Sequence, residues 1–460
     1  DRHNMPYMSL WAINPDGTNA RLVYGNFTHA PHCTFEPRCI PNSDKIVFTG
    51  SAHHAQTMGS LVLLDPSIGT EGAEPITRLT PEVPFPEIEA WPDTYYAHPW
   101  PLSERFYLVS WGSVSTSRQG QQMDANCMGL YLFDAKTKSM ELLFRDPQIT
   151  SSWPIPLRTQ PTPPVLASTL DRQGPQEGRF LLANVYSNLK TVKPGDIKVL
   201  RIVAVPPKTH PTMNSPVMGI MADDPGKCVL GTVPVEADGS AYFRVPAGVI
   251  VFFQALDARG IAVQTMRTIT HVQPGQTLSC IGCHESRLEA PPAARVMAAR
   301  REPSKIAVGP EGSWPYRFDR LVQPVLDRDC VQCHAPGSGN ERAAQFDLTA
   351  EKSYASLTTY GSPSLVEHVR TRYLEGRSLE GGGAAALSTV LAKISSESHP
   401  KLELSPDSLE RLVTWLDTLG QVLGSFSEEQ ERQLLALREQ WRDLLEERTP
   451  PPALAQRETP

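Results

Sequence analysis

The apolar positions of this chain change their period along its length. From residue 7 to about 205 they fall in short β-branched and aromatic runs bounded by Pro, Asn, Asp and Gly. That is the pattern of strands. One kind of run is Leu10–Ile13, Leu61–Leu64 and Leu130–Phe133, each followed closely by Asp or Asn. Another is Ile46–Thr49, Phe106–Ser110 and Phe180–Val185. Turn signals at Asn14–Asn19, Pro41–Asp44 and Pro101–Glu104 separate them. Recurrence about every fifty to seventy residues predicts propeller blades with long insertions. Three or four blades can be counted, and a propeller protects its strand edges by closing. A partial propeller over 1–228 is therefore expected, with earlier blades preceding residue 1.

Residues 229–288 change character. Asp238-Gly239 and Pro246-Ala247-Gly248 turns stand between alternating strands. This predicts a small β-sandwich-like module or a set of hairpins. Residues 289–313 are rich in Pro, Ala and Arg, without sustained periodicity, and read as a linker. From Trp314 the period becomes helical: Phe318, Leu321, Val322, Val325 and Leu326 fall on one face. A second helix spans 404–420, with Ser405 as N-cap, Pro406 at its first position and Gly420 as its stop. Its apolar face is Leu409, Leu412, Val413 and Leu416. A helical domain is expected over 314–426. Over 427–460, a last helix with the stripe Leu434, Leu437, Trp441 and Leu444 should dock on its own chain, followed by a tail. The fold class is thus mainly β with a C-terminal α domain.

Composition narrows the function. The 460 residues are 20 % charged and 40 % apolar, with a formal charge of −7. That is ordinary for a globular protein, and with no basic run it excludes a nucleic-acid partner. The 43 prolines and 31 glycines agree with many strands and turns. No apolar run approaches the length of a transmembrane segment. The opening residues show neither the basic nor the apolar region of a signal peptide.

Chemistry concentrates in the cysteines. Of eight, four lie in two C-x-x-C-H pentapeptides: Cys280, Cys283 and His284, then Cys330, Cys333 and His334. In this pattern each cysteine forms a thioether to a haem vinyl group, and the histidine lies under the iron. Two covalently bound haem c groups are predicted. Paired zinc sites are the rival reading, but zinc does not ask for the adjoining histidine. Covalent attachment takes place outside the cytoplasm, so a periplasmic or extracellular location in a bacterium is expected, the signal removed or absent. The helices flanking the second pentapeptide give 314–426 the layout of a small cytochrome c domain. No Met follows Met297, so a thioether cannot close the second site from within. His368 and His399 remain, and His399 stands just ahead of the last domain helix. For the first site the nearby candidates are Met266 and His271; failing both, its iron is open to small ligands. The other cysteines, Cys33, Cys39, Cys127 and Cys228, suit one or two disulfides or buried thiols. Cys33 and Cys39 are near enough in sequence to pair.

At this point the order of parts resembles the alpha subunit of hydrazine synthase and its broader relatives. The likeness rests on "DKIVFTGSAHHAQTMGSLVLLDP", "HPWPLSERFYLVS", "VPVEADGSAYFRVPAGVIVFFQALD", "QTMRTITHVQPGQTLSCIGCHE" and the terminal cytochrome domain. It covers nearly the whole chain. The resemblance implies a bis-histidine second haem, with His334 proximal and His53 or His54 distal, ahead of His399. It implies that the first pentapeptide histidine helps bind zinc with a propeller cysteine, for which Cys33 stands as counterpart. It also implies a tyrosine iron ligand four residues after that histidine. Here Leu288 occupies that position, so His284 is expected to ligate iron in the ordinary way. The expected function is a dihaem cytochrome relaying single electrons to other cytochromes or redox subunits, as a homo- or hetero-oligomer. The alternative is a haem enzyme acting on nitric oxide, hydroxylamine or another small nitrogen species at the first haem.

Overall fold

The computed structural model describes residues 7–26, 28–55, 58–113, 125–160, 162–168, 170–189, 192–212, 214–266, 268–283, 296–375, 383–396, 399 and 402–448. The chain separates into two compact units, residues 1–168 and 169–460.

In the first unit β1 (Leu10–Ala12) and β2 (Arg21–Tyr24) form an antiparallel pair. Two four-stranded antiparallel meanders follow. One is β3 (Cys33–Cys39), β4 (Ile46–Ser51), β5 (Ser60–Leu64) and β6 (Ile76–Arg78). The other is β7 (Thr94–Pro101), β8 (Phe106–Ser113), β9 (Met128–Asp134) and β10 (Ser139–Phe144). Each has the blade-like order expected from the sequence, and no closed barrel forms among the described residues. Val47, Leu61, Tyr96, Tyr107, Val109 and Phe133 make a buried cluster shared by the two sheets. β4 and β5 read as unbroken apolar or small runs because both their faces are covered.

The second unit begins with β11 (Glu177–Leu182) and β12 (Val199–Ala204). Both had read as propeller strands, but here they join the middle sheets. β11 pairs with β14 (Ala241–Pro246) and lies parallel to β17 (Thr277–Cys280). β12 lies between β13 (Cys228–Pro234) and β15 (Val251–Leu256), and β16 (Ala262–Thr265) extends that sheet beyond β15. Successive strands β13 and β14 therefore belong to different sheets, in the manner of a sandwich rather than of hairpins. Phe180, Phe243 and Phe253 meet between the sheets, with ring centroids 5.1–5.8 Å apart.

The stretch expected to be a linker contributes β18 (Ile306–Val308), which pairs with β13 and buries Ile306. The helical region comprises α1 (Phe318–Leu321), α2 (Gln323–Asp329), α3 (Glu341–Ala344), α4 (Ser353–Thr359), α5 (Leu365–Glu375), α6 (Thr389–Ile394) and α7 (Pro406–Asp417). Ser405 Oγ accepts the Ser408 N–H at 3.1 Å, and Gly420 takes φ 71° just beyond the helix end. The expected apolar faces meet: Phe318, Leu321, Val322, Val325 and Leu326 pack with Leu409, Leu412, Val413 and Leu416 in one core. α8 (Glu428–Gln440) docks on its own chain. Trp441 lies against Trp314 at 5.9 Å, and β19 (Leu445–Glu446) runs parallel to β18.

One buried ion pair ties the β sheets to the helices. Arg201 on β12 and Asp417 on α7 are 3.6 Å apart, with 3 % and 0 % of their side chains exposed. Asp417 also accepts the backbone N–H groups of Ala262 and Ala385. Burial pushes its carboxyl up to about 6, against the pull of the Arg201 guanidinium.

Candidate functional site

The second pentapeptide continues the turn of α2. Cys330 N–H donates to Leu326 O at 2.8 Å and His334 N–H donates to Cys330 O at 3.0 Å. Cys330 is buried in the helical core while Cys333 is exposed. Burial, with the Asp329 charge beside it, pushes the Cys330 thiol up to about 11. His334 is held by its Nδ1, which lies 3.0 Å from Ala343 O and 3.2 Å from Phe346 O. Two carbonyl oxygens can face only a protonated nitrogen, so the lone pair sits on Nε2.

The His399 ring lies parallel to that of His334, at 5° with centroids 6.2 Å apart. The residues fit a haem c: two cysteines in one turn, an imidazole with its far nitrogen fixed as acceptor, and a second imidazole with its ring parallel to the first.

The first pentapeptide starts on β17. Ala183 N–H donates to Cys280 O at 2.8 Å and Asn184 N–H to Ile281 O at 3.0 Å, so backbone bonds to the segment after β11 fix the turn. Gly282 is required there, since a Cβ would come within 2.5 Å of Ser187 Cβ. Cys280 and Cys283 are half-buried against the sandwich core. His284 and Leu288 lie outside the described residues. Met266 extends the β15–β16 pairing, its N–H donating to Phe253 O at 2.9 Å. His271 follows the Val251–Thr270 bridge and precedes the buried Val272.

His53 and His54 belong to the first unit, in the turn after β4. Their rings meet edge to face at 4.3 Å. His54 Nδ1 is 2.6 Å from Glu87 Oε1, which also accepts the His54 backbone N–H at 2.8 Å. Cys33 is fully buried, and its thiol is pushed up to about 12 by burial, with the Glu87 charge adding to the effect. Cys33 and Cys39 do not pair: they end the same strand, about 17–20 Å apart, and disulfide Cα atoms lie within about 7 Å. Among the described residues no two cysteines form a disulfide. Among the described residues no group of three or more His, Cys, Asp or Glu side chains is arranged to hold a metal ion.

Residue-level reading missed the carbonyls of Ala343 and Phe346. Their only sequence signal is the Asn340 N-cap, which starts the short α3 above His334. Among the described residues, no helix is long and apolar enough to cross a membrane.

Comparison with known proteins agrees with this architecture. Residues 195–285 match the family described as hydrazine synthase alpha subunit middle domain. The fold matches Kuenenia stuttgartiensis hydrazine synthase with a TM-score of 0.66 at 17 % identity, covering 91 % of this chain and 65 % of that one. This chain therefore spans somewhat less than two thirds of the length of that relative. No curated protein sequence matches.

Proposed function

We propose that this chain, related to the hydrazine synthase alpha subunit through its middle domain and its fold, is a c-type cytochrome that passes single electrons to or from a redox partner. The observation that carries the reading is the parallel His334–His399 pair beside Cys330 and Cys333. Cys330 and Cys333 would hold the porphyrin through thioethers, and His334 and His399 would bind its iron. Bound there, haem supplies a one-electron ferric–ferrous couple. The chain's own residues tune that couple. Two imidazoles leave no coordination position open, and relative to a thioether they favour the ferric state. The Ala343 and Phe346 carbonyls hold the Nδ1 proton of His334, which strengthens its Nε2 as a donor. Cys280 and Cys283 would attach a second haem, with His284 as proximal ligand. Such attachment places the protein in the periplasm or at the cell surface, with another cytochrome or redox subunit as partner.

The second reading is a haem enzyme acting on a small nitrogen species at the first pentapeptide. It draws on the family match, whose residues 195–285 include Cys280, Cys283 and His284. Carbon monoxide added to the dithionite-reduced holoprotein separates the two. Haems that stay six-coordinate and unreactive accord with a relay. One haem that shifts its Soret band accords with the enzyme.

A further inference from the structure

Three segments of the first unit share a short repeat: Glu36-Pro37-Arg38-Cys39-Ile40, His98-Pro99-Trp100-Pro101-Leu102 and Trp153-Pro154-Ile155-Pro156-Leu157. The residue before each first proline is left-handed, with φ of 56° at Glu36, 53° at His98 and 60° at Trp153. Proline disfavours that conformation in the residue ahead of it, and bulky side chains disfavour it again. In β3 and β7 the strained residue sits in a bulge, between Phe35 and Arg38 and between Ala97 and Trp100. Bulges of this kind re-aim a side chain. All three side chains converge on one small cleft, lined also by Arg38, Trp100 and Ile155. Three equivalent strained positions meeting in one cleft point to a built site.

The chemistry of the cleft is that of a cation receptor. Glu36 Oε2 accepts the His98 backbone N–H at 2.6 Å, and its Oε1 lies 3.3 Å from His98 Nε2. The two side chains are 9 % and 11 % exposed. Burial pushes the His98 imidazole down to about 4, so it is uncharged at neutral pH beside the Glu36 carboxyl group. His98 Nδ1 is buried without a hydrogen-bond partner, and in the tautomer protonated at Nε2 it is an acceptor. The walls are indoles. Trp153 lies 4.2 Å from the His98 ring, and the Arg38 guanidinium, the cation among the described lining residues, sits 4.6 Å over Trp100. Its exposed lining is apolar: Trp153 and Ile155 are 54 % and 64 % exposed.

We infer that this cleft binds an alkylammonium group, a protonated amine on an aliphatic stem such as a lysine side chain presents. The ammonium would donate to Glu36 and to His98 Nδ1, and the stem would lie along Trp153 and Ile155. The inference is independent of the haem reading. It is tested on the haem-loaded full chain labelled with 5-fluorotryptophan, the Trp153 resonance being assigned by its loss in W153F. The probes are n-butylammonium and Nα-acetyl-lysine methylamide, with n-butanol and the Nζ-acetylated lysine derivative as neutral controls. Saturable shifts of the Trp153 resonance with the amines alone are expected. Butylammonium binding without the lysine derivative identifies free small amines as the source; binding of both identifies a protein side chain. E36Q, which keeps the acceptor for His98 N–H, should weaken binding about tenfold or more, with the other tryptophan resonances unmoved. W153L, at an exposed ring, should weaken it as well when read by calorimetry. Equal shifts with the neutral controls, or undiminished amine affinity in both variants, overturn the inference.

Discussion

Histidine 399 shows what one residue can and cannot reveal in a sequence. Its place ahead of the last domain helix marked it as a ligand candidate, while the family resemblance pointed to His53 or His54. The proposal takes the local candidate, because within its own unit the His399 ring lies parallel to that of His334 with centroids 6.2 Å apart. Its orientation was illegible, since α6 and the turn after it set the ring and no periodicity encodes a ring plane. Asp417 was equally silent: it looks like one more polar residue at a helix end, yet it is fully buried against Arg201. Replacing it by Ala would leave that guanidinium buried and unpaired, at a cost of about 3–5 kcal/mol, measurable as a lower urea midpoint. Its pH dependence has a definite sign. The folded carboxyl, at about 6, binds a proton more readily than an unfolded one. Its stabilising contribution is therefore complete below the unfolded carboxyl range and is lost as pH rises through about 6. Wild type should accordingly gain stability over D417N between pH 7 and pH 5 in paired urea melts. A gap that stays constant, or that widens towards pH 7, would contradict the assignment.

Elements announced by local chemistry were legible, and those made by distant pairing were not. α7 carries its own punctuation in Ser405, Pro406 and Gly420, and all three act as expected. Ser405→Ala should cost about 1 kcal/mol through loss of the cap, read as a shift of the denaturation midpoint. Gly420→Ala should cost more, because it adds a Cβ at positive φ within 2.7 Å of Ile220 Cδ1. β18 is the opposite case. Three residues in a Pro- and Arg-rich stretch give no alternation to detect, and they become a strand because β13 and β19 offer backbone partners. Truncation after Gln440 removes β19 and Trp441 from that sheet. Faster amide exchange at Ile306–Val308 in the truncated chain is the expected consequence. The Asp238-Gly239 turn left a sandwich or a hairpin open; β13 and β14 pair with β12 and β11, strands far away in sequence, as in a sandwich. Strand signals mark where a strand is and carry nothing about its partner.

The same limitation explains the boundary between the two compact units. Phe180–Val185 looks like the earlier blade strands, so the sequence placed the propeller's end near 228, whereas contacts divide the chain at 168 and 169. The proposed haem attachment was more legible than the topology, because its pattern is written in contiguous residues. Only the axial ligation depends on the fold. The most direct test of the account is the electron paramagnetic resonance spectrum of the ferric holoprotein, compared across H399A, H53A and H54A. Six-coordinate low-spin haem at the second pentapeptide is predicted in the wild type and in H53A and H54A, with conversion to a high-spin, carbon monoxide-reactive haem in H399A alone. A low-spin signal that survives in H399A, or one that is lost in H53A or H54A instead, would contradict it.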